Sequence, residues 1–103
     1  MSQLSTPELI SSSLVWDNHG CMPLRPDDES FLPQLHRYRD SGFDVAFLNV
    51  AFDAIPWEKT VPQIALFRNW IQRHEDSLIL VNTIADIQEA KETGRLGICF
   101  DIE

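Results

Sequence analysis

Four apolar runs alternate with amphipathic stretches along the chain. Residues 1–13 read as a lead-in with a brief helix over 7–12. Residues 14–19 (LVWDNH) read as a short strand running into a polar end. Residues 21–29 (CMPLRPDDE) read as a loop, because each of the two prolines removes a backbone donor and restricts its predecessor. Over 30–41, Phe31, Leu32, Leu35 and Tyr38 form one helical stripe, and Gly42 follows where a C-cap glycine belongs. Residues 43–50 (FDVAFLNV) have the length and β-rich composition of a buried strand. After a loop over 51–59, Thr60 is placed to cap the next helix, Pro62 to sit in its first turn, and Gln63 to reach back to the cap. Ile64, Phe67, Trp70 and Ile71 then recur at helical spacing. Residues 77–81 form a third strand. Thr83, with Asp86 three residues on, caps a third crossover helix with the inner stripe Ile84, Ile87 and Ala90. Gly94 ends that helix, and 95–102 (RLGICFDI) is the fourth strand.

This β-α-β-α-β-α-β order predicts an α/β fold. Continuous apolar strands, each separated by one amphipathic helix, imply a parallel sheet with covered faces and right-handed crossovers. Four strands and three crossover helices over 1–103, stopping directly after a strand, read as a partial domain: the first half of an eight-fold barrel, truncated. The strands are expected side by side in chain order, curved as one arc. A small flavodoxin-like open sheet is the alternative. The segment HGCMPL has a single glycine, so neither a dinucleotide fingerprint nor a phosphate loop is present.

Charge narrows the partners. Sixteen acidic residues against eight basic ones give a formal charge of -8, which argues against nucleic acid and against an anionic membrane surface. No signal-peptide pattern opens the chain, and no window approaches a bilayer span. Cys21 and Cys99 are too few and too far apart for a disulfide scaffold. A cytoplasmic setting is expected.

Active sites of parallel α/β folds lie beyond the carboxyl ends of the strands. Asp17, His19 and Cys21 stand there after strand one, Asn49 and Asp53 after strand two, Asn82 after strand three, and Asp101 and Glu103 after strand four. Simple exposure explains polar strand ends equally well. Asp17, His19 and Cys21 share one face if the strand continues that far, and imidazole, thiolate and carboxylate all suit zinc. Against this, a free cysteine is commonly just a small hydrophobe, and an HxC pair lacks the other ligands of a closed site. Asp101 and Glu103 share a face in turn, and a strand-tip carboxylate can bridge two ions. His36 and His74 read as helix-surface residues, and Trp57 as a pocket lining or a helix cover.

From VWDNHGCMPL to NTIADIQEAKETGRLGICFDIE, nearly the whole chain resembles the N-terminal part of the membrane dipeptidase (renal dipeptidase) family of metal-dependent hydrolase barrels. The opening resembles that family's D-x-H-x-D first-strand motif. The closing segment resembles its helix leading through glycine to a strand that ends in glutamate. The resemblance implies a TIM-type (β/α)8 barrel with one or two zinc ions. It makes His19 a first-strand zinc ligand, Glu103 the bridging carboxylate, and Asp17 a supporting residue. The departure is Cys21, which stands where the family has its second first-strand ligand, an aspartate. A thiolate is softer and has no second oxygen.

The expectation is therefore a fragment of a zinc-dependent, dipeptidase-like hydrolase, with His19, Cys21 and Glu103 as metal ligands and a small peptide or amide as substrate. The family's later histidines, arginine and aspartate have no counterparts in this chain. Its partner is the remainder of the barrel or a second copy, and residues 1–103 alone should be inactive. Two alternatives stand beside it: a degenerate, non-catalytic barrel that binds a partner, and another amidohydrolase-like enzyme with a cysteine-altered centre.

Overall fold

The computed structural model describes residues 3–103, so the first two residues of the lead-in lie outside the described residues. Helix α1 spans Thr6–Ser12. A capping box starts it: the Glu8 N–H donates to Ser5 Oγ at 3.3 Å, and the Ser5 N–H donates to Glu8 Oε2 at 2.7 Å. Strand β1 spans Trp16–Gly20. The single helix expected over 30–41 is instead a 3-10 turn, Leu32–Leu35, running into a short helix α2, His36–Asp40. Phe31 offers the turn no side-chain cap and Pro33 brings no N–H, so the first turn tightens. The apolar stripe still holds, with Leu32 and Leu35 fully buried.

Strand β2 spans Val45–Ala51, helix α3 Trp57–Arg73, strand β3 Leu78–Leu80, helix α4 Ile84–Thr93 and strand β4 Leu96–Ile102. Helix α3 begins three residues before the expected cap. Pro56 is its N-cap, and the Thr60 hydroxyl donates back to the Pro56 carbonyl at 3.4 Å. Pro62 consequently lies inside the helix, where its missing N–H forfeits one helical bond. Gln63 does not reach the cap. It is buried, and neither atom of its amide has a hydrogen-bond partner. Helix α4 follows expectation at both ends: Thr83 accepts from the Asp86 N–H, and Gly94 closes it at φ +71°. Its inner stripe is narrower than expected, with Ile87 and Ala90 buried and Ile84 exposed.

All three strand pairings are parallel, but the order in the sheet is β1-β2-β4-β3. The expected chain order is thus corrected at its end: β4 inserts between β2 and β3. Walking β1→β2→β3 crosses the sheet one way, and β3→β4 returns. Right-handed connections then require α2 and α3 on one face and α4 on the other. The contacts agree. Phe67 of α3 meets Phe100 of β4 at 6.2 Å between ring centroids. Ala90 of α4 lies 3.6 Å from where Gly97 would carry a Cβ, and Gly97 faces opposite to Phe100. The α2/α3 face holds the main core: Leu32, Leu35, Leu48, Val50, Phe67, Trp70, Ile71 and Ile98 are among its buried members. Helix α4 covers the other face only near the start of the strands.

Four parallel strands with crossover helices are consistent with half of a TIM-type barrel. Strand β1 has a neighbour on one side only. Strand β3 pairs with Leu96, Gly97 and Ile98 alone, so the upper outer edge of β4 is free. Among the described residues, no helix is long and apolar enough to cross a membrane.

One buried carboxylate joins these parts. Asp44 Oδ2 accepts from the Val15 N–H at 2.8 Å and from Lys91 Nζ at 3.1 Å, and Lys91 also donates to the Ser13 carbonyl at 2.9 Å. The Asp44 carbonyl accepts from the Gly97 N–H at 2.8 Å. The node therefore ties the entry to β1, the start of β2, β4 and α4. Asp44→Ala is expected to lower unfolding free energy by about 2–4 kcal/mol. Lys91→Met should cost less, because that side chain keeps 34% of its exposure. Urea denaturation measures both, and a loss below about 0.5 kcal/mol for Asp44→Ala would make the node dispensable.

Candidate metal centre

The site begins with an irregularity in β1. Asp17 pairs with Ala46 and Gly20 with Leu48, so three steps on β1 match two on β2. This bulge changes which residues face which way. Asp17 shares the face of Ala46, toward the helices, whereas His19 turns to the face of Phe47, Asn49 and Asp101. The expectation that Asp17, His19 and Cys21 share one face is thus corrected. Strand β1 ends at Gly20, and Cys21 lies exposed just beyond it.

Asp17 holds the bulge together. Its Oδ1 accepts from the His19 N–H at 3.2 Å, and its carboxylate acts on the Tyr38 phenol. Burial, and then Asp17, push the Tyr38 phenol up to about 12. Gly20 makes room for this contact: a Cβ there would sit 2.7 Å from the Tyr38 oxygen and 3.1 Å from the Phe47 carbonyl.

His19 is the hub of the cluster. Its Nδ1 lies 3.1 and 3.2 Å from the two oxygens of Asp101, across the sheet on β4. Its Nε2 lies 3.6 Å from Glu103 Oε2 and 3.7 Å from Cys21 Sγ. The Glu103 N–H donates to the Ala51 carbonyl at 2.9 Å, which keeps the end of β4 against β2. Asn49 is buried opposite Asp101, and its Oδ1 accepts from the Ala51 N–H at 3.1 Å. The hydrogen bond to Asp101 is the largest influence on His19 and raises its pKa; partial desolvation opposes this, and the charges of Asp101 and Glu103 add to it.

The fold therefore brings Cys21, Asp101 and Glu103 each beside His19. It does not bring Asp53, which is exposed after β2, or Asn82, whose N–H donates to Asp86. The partnership of Asp101 with His19 was not readable from sequence. Its only signal was the spacing of Asp101 and Glu103 on β4. Cys99 lies two positions below Asp101 on the same face, half-buried, and burial pushes its thiol pKa up.

The donor set matches zinc in kind: one imidazole nitrogen free of its carboxylate partner, one thiol and one carboxylate. A carboxylate on the far nitrogen of the ring is the usual support of a metal-binding histidine. Among the described residues, however, no three His, Cys, Asp or Glu side chains already form a metal-holding group. Cys21 and Glu103 each approach His19 separately, and the Glu103 side chain is 63% exposed.

No protein-family model matches the chain. No curated protein matches it either. Among solved structures, it is similar to the crystal structure of an amidohydrolase from Pseudomonas aeruginosa, at 27% identity and a TM-score of 0.80. That likeness covers 97% of this chain and 29% of the amidohydrolase chain, so this chain spans less than a third of that protein's length. The comparison supports a hydrolase-like parent fold, and it does so at the level of amidohydrolases rather than of the dipeptidase family.

The hub geometry predicts a titration. In the metal-free chain, His19 is expected to titrate above its ordinary 6.5, and Asp101→Asn to bring it down. A raised value means that the folded chain favours the imidazolium. Its stabilising contribution is thus fully present below the unfolded pKa and disappears as pH rises through the folded one. Histidine ring NMR signals report this, and a His19 midpoint at or below 6.5 would count against the Asp101 contact.

Proposed function

We propose that this chain is part of a zinc-dependent, amidohydrolase-like enzyme that hydrolyses a small peptide or amide bond, with His19, Cys21 and Glu103 as its share of the metal ligands. One observation carries the reading: Cys21 and Glu103 each lie beside His19 Nε2 at the carboxyl ends of β1 and β4. That is where parallel α/β enzymes place their chemistry. The likeness to an amidohydrolase supports the same class. The free edges of β1 and β4 suit pairing with the remainder of a barrel.

Zinc, when bound, supplies Lewis-acid activation of water and of the scissile carbonyl. The chain's own residues prepare for it. Asp101 accepts the Nδ1 proton of His19, which fixes the tautomer and turns the Nε2 lone pair to the site. Asp17 and Tyr38 hold the bulge that aims the ring. Glu103 offers oxygen and Cys21 sulfur. Dipeptides are the finer substrate reading, drawn from the motif resemblance. An amide substrate with a cysteine-altered centre is the second reading, favoured by the position of Cys21 beside Nε2.

A chimera tests the class. In it, residues 3–103 replace the matching segment of the Pseudomonas aeruginosa amidohydrolase, with folding checked by circular dichroism. Zinc-loaded, it is expected to hydrolyse amides or dipeptides, with loss of about a hundredfold or more in His19→Ala and Glu103→Gln. A folded, active chimera indifferent to both substitutions would sink the proposal. Residues 1–103 alone, zinc-loaded, are expected to show no turnover above a metal-only blank, because a catalytic zinc needs a fuller ligand set and a closed pocket.

A further inference from the structure

Helix α4 lies on the sheet face opposite α2 and α3, the face to which His19, Phe47 and Asp101 also turn. In a TIM-type barrel the crossover helices form the outer ring. With α2 and α3 outside, the face under α4 is the inside. We propose that α4 is a floor across the amino-terminal mouth of the barrel, and that the apolar groove between α4 and β1 seats inward side chains of the strands that complete it. The occupant is a polypeptide that supplies those strands and brings no inner helix of its own. This goes beyond the hydrolase reading and rests on the fold alone.

The position of α4 is fixed from two sides. Gly97, the second residue of β4, admits the helix: a Cβ there would lie 2.8 Å from Val81 and 3.6 Å from Ala90. Lys91 pins it elsewhere, donating to the Ser13 carbonyl and to Asp44 at the entries to β1 and β2. A helix with its side chains is about 10–12 Å across, and the interior of an eight-stranded barrel has room for side chains only. Helix α4 therefore lies across the mouth, and the carboxyl ends of the strands stay beyond it.

The groove is lined by Leu14, Trp16, Ile84 and Ile87, with Gln88 and Lys91 beside them. Ile84 is 71% exposed, Leu14 50% and Trp16 38%. Large apolar side chains exposed together mark a surface that another surface covers. Glu89, turned away from Ile84 around the helix, is exposed and pairs with Arg95 at 2.9 Å, so α4 already has a solvent side. The groove also continues an open edge. Trp16 begins β1, and β1 has a neighbour on one side only, so a strand added at that edge runs past the groove. The amidohydrolase of like fold extends well beyond the segment matched here, with length to spare for such strands. A second copy of this chain does not fit. It would bring a second α4 to the same mouth, and a charge of -8 on each copy opposes the pairing.

The test is thiol labelling, independent of turnover. Ile84→Cys and, separately, Glu89→Cys are placed in a Cys21→Ser, Cys99→Ser background, both in residues 1–103 and in the amidohydrolase chimera. Circular dichroism checks each fold. A maleimide is expected to label Ile84→Cys freely in 1–103 and about a hundredfold or more slower in the chimera. Glu89→Cys should be labelled equally fast in both. Ile84→Asp should leave the urea midpoint of 1–103 in place and lower that of the chimera. Equal labelling of Ile84→Cys in the two, protection of Glu89→Cys, or an Ile84→Asp chimera as stable as its parent would overturn the inference. So would a chimera that does not fold, or a dimer of 1–103 that shields Ile84→Cys. Protection of Ile84→Cys in a chimera without His19-dependent hydrolysis would leave the inference standing and remove the hydrolase reading.

Discussion

Right-handed crossover is the constraint on which this structure turns. Once β4 lies between β2 and β3, the connection into it must return across the sheet. Helix α4 is then forced onto the face opposite α2 and α3. It is only ten residues long, and it packs at Gly97, near the start of β4. The far end of that face lies beyond the contact of α4 with Gly97. His19, Cys21, Asp101 and Glu103 occupy that end. The winding of the chain, and not a dedicated loop, makes the space in which the chemistry can occur.

Within that space the residues have unequal standing. His19 is positioned from three directions: Asp101 holds the ring, Asp17 accepts the backbone N–H, and β2 sets the register. Glu103 is fixed through its backbone alone, and Cys21 follows the strand without belonging to it.

Much of the fold was legible because periodicity and caps are local. The strands, the Thr83 cap, Gly94 and the buried Leu32 and Leu35 could all be read from neighbouring residues. The features that escaped such reading depend on partners distant in sequence. The insertion of β4 is decided by which apolar faces meet, and each strand taken alone is equally apolar. Helix α3 starts early, behind Pro56, whose ring fixes φ near the value the helix entry needs, and the plausible box at Thr60 is bypassed. The site was half legible. Strand-end placement marked His19, Cys21 and Glu103 together with Asp17, Asn49, Asp53, Asn82 and Asp101, and the motif resemblance picked out the three. The partnership of His19 with Asp101 spans 82 positions and leaves no local trace.

The bulge in β1 gives one short strand two parities. Below it, Trp16 faces Phe47 and stacks on it at 5.4 Å, so alternation there serves packing. Above it the phase is reset, and alternation sets His19 toward Asp101. The two halves are thereby uncoupled. The chain can exchange the side chain at position 21 without disturbing the hydrophobic register beneath, because the extra residue absorbs any change in the strand's last turn outward. A strand built this way is evolvable at its tip: the polar residues there can change while the sheet below stays the same.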